Sequence, residues 1–101
     1  MQHQITEDGR RVIVHLRGSL YVQDAAQLRE ELTEYIRKGF NLFVIEMKGV
    51  DYIDSSGLGV LVAINTRVVE TAGRVVLKGL AGKVLEVFTR TRLIKVFETE
   101  D

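Results

Sequence analysis

A chain of 101 residues has room for one hydrophobic core and no second domain. Its 46% hydrophobic and 28% charged content is that of an ordinary globule and excludes a disordered segment. The 14 basic residues balance 14 acidic ones, which gives no net field for nucleic acid or an anionic membrane, and the lack of cysteine excludes disulfides, thiolate metal sites and cysteine nucleophiles.

The longest unbroken apolar run, Val60 to Ile64, is far below the roughly 18 residues that a membrane span needs. Met1-Gln2-His3-Gln4 has no apolar core of a secretory signal. The expectation is a cytoplasmic protein with neither nucleic acid nor membrane as partner.

Asp8-Gly9 marks a tight turn between two short strands. The second, Val12 to Leu16, places Val12, Val14 and Leu16 on one face and Ile13, His15 and Arg17 on the other. Gly18-Ser19-Leu20-Tyr21 reads as a loop. Asp24 with Gln27 forms a capping pair that opens a helix, with Ala25, Leu28, Leu32, Tyr35 and Ile36 on its inward stripe. Gly39, after Arg37-Lys38, ends it.

Leu42 to Met47 is a short apolar run between turn residues, hence a buried central strand. Lys48-Gly49-Val50-Asp51 bends the chain, and Tyr52-Ile53 lead into Asp54-Ser55-Ser56-Gly57-Leu58-Gly59. A second helix is predicted from about Ser55 to Ala72, with Leu58, Leu61, Val62, Asn65, Val68 and Val69 inward and Ile64 outside that stripe. Asn65 is read as a hydrogen-bonded structural amide. Val75 to Leu77 is a buried strand, Ala81 to Thr89 a third helix carrying Val84, Val87 and Phe88, and Lys95 to Phe97 a last strand before a frayed acidic tail, Glu98 to Asp101. This alternation predicts an α/β domain: a mixed, mostly parallel sheet with right-handed crossovers and an N-terminal β-hairpin.

Several chemistries fail on spacing. A dinucleotide fingerprint after Gly57 and Gly59 needs glycine where Val62 stands. A phosphate loop around Gly82-Lys83 has Leu77 at its first glycine position and Val84 where a hydroxyl should hold magnesium. A nucleophile elbow needs glycine two residues before its serine, but Ile53 and Asp54 precede Ser55 and Ser56. His3 and His15 are the only histidines, one near a terminus and one mid-strand, so a serine hydrolase lacks an evident base. Asp51 and Asp54 have no histidine or cysteine nearby to complete a metal site. The expectation is no catalysis, no cofactor and no metal.

Asp54-Ser55-Ser56 has two readings. One is a plain helix cap, in which a side-chain oxygen accepts an orphan N–H. The other is a displayed hydroxyl at a helix start, where unpaired N–H groups and the positive dipole end tolerate added negative charge. Gly57 and Gly59 favour the second, because each costs about 0.8–1.0 kcal/mol relative to alanine inside a helix. Glycine at such a place keeps the backbone close to a neighbouring element or a docking partner.

Tyr52-Ile53-Asp54-Ser55-Ser56-Gly57-Leu58-Gly59-Val60-Leu61 resembles the signature of the bacterial anti-sigma factor antagonists of the STAS (sulfate transporter and anti-sigma antagonist) family. The resemblance extends over nearly the whole chain, through Leu16-Arg17-Gly18, the strand from Leu42, Ala72-Gly73 and Leu93-Ile94-Lys95-Val96-Phe97. It implies a small βα superhelix and a serine, here Ser55, that is phosphorylated by an anti-sigma factor serine kinase. The unphosphorylated form would bind that kinase and release its sigma factor, and a serine phosphatase would reset the switch. On this reading Asp54 and Ser56 orient Ser55 and share the partner surface with Tyr21, Asp24, Gly57, Leu58, Gly59 and Val60.

Three departures accompany the resemblance. Tyr21 and Ser19 stand where the family often carries acidic residues in the loop before the first helix. Ile64 is apolar on an expected outer face. Many members continue into a further helix, whereas this sequence stops at Asp101, which suggests apolar surface open to self-contact and a monomer or weak homodimer. An alternative is therefore a non-phosphorylated STAS scaffolding module of a stress-sensing assembly or a lipid transport complex. A small hydrolase using Ser55 or Ser56 is the third reading.

Overall fold

Gly9 takes φ of 64°, a left-handed turn conformation that glycine adopts without strain. It reverses the chain between strands β1 (Gln2–Asp8) and β2 (Arg11–Leu20), which pair antiparallel with Asp8 opposite Arg11. In the computed structural model, which describes residues 1–101, helix α1 (Val22–Arg37), strand β3 (Leu42–Ile53), helix α2 (Ser55–Glu70), strand β4 (Arg74–Lys78), helix α3 (Gly82–Arg90), a 3-10 turn (Leu93–Lys95) and strand β5 (Glu98–Glu100) follow. The five strands form one sheet in the order β1-β2-β3-β4-β5, parallel from β2 onward. Strands consecutive in the chain are neighbours, so right-handed crossovers of one sense place all the helices on one face.

That face carries Val12, Val14, Leu16, Phe43, Ile45, Met47, Val75 and Leu77, which join Leu28, Leu32, Leu61, Val68, Val84 and Phe88 in a single core. The opposite face is mostly polar. Ile13, Val44 and Val76 form an apolar row across its middle, each in register with the next.

The structure corrects the expected bounds in four places. Strand β2 does not stop at Leu16. Gly18, Ser19 and Leu20 find parallel partners in Val50, Tyr52 and Ile53, and this pairing overrides the loop signal of a Gly-Ser step. The expected bend at Lys48–Asp51 is a pair of bulges inside β3: Met47 and Lys48 together face Leu16, and Asp51 is the extra residue between Val50 and Tyr52. The N-cap of α1 is Tyr21, so Asp24 is the third helical residue and its carboxylate accepts from the Tyr21 N–H at 3.3 Å. Finally, the acidic tail holds the last strand and Lys95–Phe97 does not. Phe97 is buried against Phe88, with ring centroids 5.8 Å apart, and Arg74 binds both carboxylate oxygens of Glu98, which seats β5 on β4.

Within α2 the inward stripe is rotated from the expected one. Ile64 is only 1% exposed, whereas Val69 is 56% exposed. The helix rests on both the sheet and α1, so its buried arc (Val60, Leu61, Ile64, Asn65, Val68) is wider than one face of an amphipathic pattern suggests. Asn65 lies inside, and no buried side-chain nitrogen or oxygen is left without a partner.

Candidate functional site: a serine at the carboxyl edge of the sheet

Strands β2 and β3 end side by side, with Leu20 paired to Ile53. The Asp54 N–H donates to the Leu20 carbonyl at 3.2 Å, which ties the two strand-to-helix turns together. The start of α1 and the serine motif therefore share one edge of the domain, at the carboxyl ends of the parallel strands β2 and β3. Ser19 Oγ donates to Asp51 Oδ1 at 2.9 Å across the same edge, and the Tyr21 and Tyr52 rings meet at 5.5 Å between centroids. Such an aromatic pair contributes about 0.5–1.5 kcal/mol beyond its buried area.

Asp54 caps α2: its Oδ1 accepts the Gly57 N–H at 3.0 Å. The capping reading thus accounts for the aspartate and leaves both serines free of that task. Ser55 is the first residue of the helix and is exposed, and Ser56 beside it is half-buried. Their N–H groups find no partner within the chain, so the helix start presents two donors and the dipole's positive end next to the Ser55 hydroxyl.

The glycines divide in role. Gly57 is buried, and a Cβ there would stand 2.8 Å from both Ile53 Cγ1 and Leu20 Cγ. It lets the helix seat on the sheet, and its expected place on the partner surface is corrected. Gly59 is exposed with nothing within 4 Å of such a Cβ, so its bareness faces solvent. Val60 is also corrected. At 5% exposure it belongs to the core and offers no contact to a visitor. Leu58 is half-buried against the core, Asp24 is half-buried at the start of α1, and Tyr21 is 44% exposed.

Neither histidine reaches this edge. His3 on β1 is hydrogen-bonded to Glu31 of α1, and His15 stands in register with Glu46 on the polar face of the sheet. No three histidine, aspartate or glutamate side chains converge. No helix is long and apolar enough to cross a membrane. The largest hollow, about 820 Å³, lies over Gln4, His15, Arg17, Glu46 and Lys48 on the polar face. A smaller groove of about 230 Å³ separates Tyr52 and Ile53 from Lys83, Val84, Val87 and Arg90 on α3.

The sequence reading left Tyr52 out of the site. Strand alternation continued past the bulge, with Ile53 inward and Tyr52 outward, was the signal that could have found it.

Known proteins share this fold. The profile of the STAS domain matches residues 2–101. The anti-sigma-B factor antagonist of Bacillus subtilis is 32% identical over 85 residues, spanning 84% of this chain and 77% of the relative. A crystal structure from Thermotoga maritima superposes with a TM-score of 0.92 at 24% identity, covering 98% of this chain and 86% of that one. The Bacillus cell fate determinant SpoIIAA in its phosphorylated form superposes with a TM-score of 0.83 at 22% identity, covering 99% of this chain and 91% of that one. At those identities the two structures speak for the fold, a five-stranded mixed sheet with three helices. Profile match and sequence relative together establish the family: the chain belongs to the STAS domain family, alongside the anti-sigma factor antagonists.

Proposed function

We propose that this chain is a phosphorylation-switched anti-sigma factor antagonist of the cytoplasm. Unphosphorylated, it binds an anti-sigma factor serine kinase and displaces the sigma factor; phosphate on Ser55 ends that binding, and a serine phosphatase restores it. The observation that carries the reading is the exposed Ser55 at the first position of α2, capped by Asp54 and not itself engaged as the cap. The chain is a substrate in this scheme and performs no catalysis.

The switch needs no change of shape. A phosphate on Ser55 adds about −1.5 to −2 charges. Within the domain the free N–H groups and dipole favour that charge by about 0.3–1 kcal/mol. In the complex the sign reverses, because the kinase's nucleotide holds its own phosphates near Ser55. A penalty of about 3–4 kcal/mol weakens binding several hundredfold. The scaffolding alternative drew on Ile64, Tyr21 and the chain end; the burial of Ile64 removes the first of these supports, while Tyr21 is exposed.

The test is incubation with ATP and each anti-sigma factor kinase of the source organism, followed by mapping of phosphate by mass spectrometry. Phosphate on Ser55 is the expected outcome. Phosphate on Ser56 or Thr66 in its place, or none with any kinase, refutes the assignment.

A further inference from the structure

We propose that strand β1 is a docking edge for a second copy of this chain. The copy pairs with it antiparallel about a two-fold axis at Ile5 and joins the two five-stranded sheets into one. β1 is the outer strand, so the backbone N–H and C=O groups on its free side have no partner strand. All seven of its residues pair with β2 without a register shift, and none is proline, glycine or lysine. Edge strands that stay single are typically shortened, bulged, or given lysine or proline. The opposite margin shows such treatment, since β5 has only three residues, two of them glutamates. The sheet is thus blunted at one margin and open at the other.

The strand's own sequence selects a copy of itself, run antiparallel. Gln2-His3-Gln4-Ile5-Thr6-Glu7-Asp8 carries both carboxylates at one end and none at the other. The single antiparallel register that pairs all seven residues sets Glu7 opposite His3 of the second copy, Asp8 opposite its Gln2, Thr6 opposite its Gln4 and Ile5 opposite its Ile5. A parallel pairing in register would stack Glu7 on Glu7 and Asp8 on Asp8, and like charges directly opposite are destabilising. The faces agree as well. His3 and Ile5 are half-buried on the helix side, whereas Gln2, Gln4 and Thr6 are exposed, and this register keeps each set on its own side. Beside the strand a hollow of about 400 Å³ runs between His3 and Ile5 on β1 and Glu31, Glu34, Tyr35 and Lys38 on α1, and the second Ile5 comes to its mouth. Two-fold symmetry sends the two Ser55 edges to opposite ends of the joined sheet, so both stay accessible.

One strand pair makes an interface below the usual size, so the expected dimer is weak, with a Kd of about 100 µM. Sedimentation equilibrium of the full chain from about 10 µM to about 1 mM measures it, with melting temperatures taken alongside. Gln4→Lys combined with Thr6→Lys sets cations against each other across the seam at two exposed positions. It should weaken the dimer by about tenfold or more and leave the melting temperature unchanged. The chain has no cysteine, so single substitutions report the register. Ile5→Cys brings two thiols opposite each other and should cross-link under mild oxidation. Asp8→Cys, whose two thiols would stand about 20 Å apart along the seam, should not. A parent that stays monomeric up to about 1 mM refutes the second copy as the occupant. A dimer that the double lysine variant forms as well as the parent, or in which Ile5→Cys cross-links no faster than Asp8→Cys, refutes the β1 edge as its seam.

Discussion

Gly57 lies so close to Ile53 that a methyl group on it would sit 2.8 Å from the isoleucine Cγ1. This contact sets the height of α2 above the sheet and so fixes where the serine next to it emerges. Helix start and strand end are thereby packed as one unit.

Gly57→Ala should therefore destabilise the domain by about 1–3 kcal/mol despite the better helix propensity of alanine, because Leu20 and Ile53 must both move. Gly59→Ala meets nothing and should stabilise by about 0.5–1 kcal/mol. Urea denaturation of the two variants checks the opposite signs.

Asp54→Ala removes the acceptor of the Gly57 N–H and should cost about 0.5–2 kcal/mol. Asp54→Asn keeps an acceptor oxygen at the same place and should stay within about 0.5 kcal/mol of the parent. Equal losses for the two, measured by denaturation, would show that the carboxylate's charge outweighs its hydrogen bond.

Ser55→Asp should fold as stably as the parent within about 0.5 kcal/mol, since the position is exposed at a helix start. It should bind the kinase several hundredfold more weakly, by the penalty of about 3–4 kcal/mol argued above. Ser55→Ala should bind persistently and resist release by ATP. Thermal melting and calorimetry separate the two effects, and an unfolded Ser55→Asp would contradict the claim that this position accepts charge.

The Arg74–Glu98 contact predicts a pH effect confined to the chain end. The hydrogen bond from Arg74 holds the Glu98 carboxyl below its ordinary pKa of 4.5, and the same bond raises that of the guanidinium. A depressed carboxyl contributes stability that is fully present above the unfolded value and lost as pH falls through the folded one. Both groups are open to solvent, so the contribution is small and local. Glu98→Gln should speed amide exchange at Thr99 and at Gly79, whose N–H donates to the Glu100 carbonyl at 2.9 Å, near pH 7. At pH 3 the difference from the parent should shrink, with the core amides of β3 unaffected at either pH.

Elements whose signals are local were legible. The hairpin turn at Gly9, the helix end at Gly39 and the apolar runs of β3 and β4 follow from residue types alone. The extended β2 and the Glu98–Glu100 strand were not legible, because a Gly-Ser step and an acidic tail become strand only when a neighbouring strand supplies partners. Likewise the depth of Ile64 depends on α2 packing against two elements at once.

By itself the order of residues determined the alternation of strands and helices, the helix start at Asp54 and the serine that follows it, since capping and periodicity act over three or four neighbours. Only the tertiary structure decided that Gly57 and Val60 face inward and Gly59 outward, and that Tyr21 meets Tyr52. Those outcomes depend on the angle at which a helix settles on its sheet and on which turns the paired strands bring together, distances that no local pattern encodes.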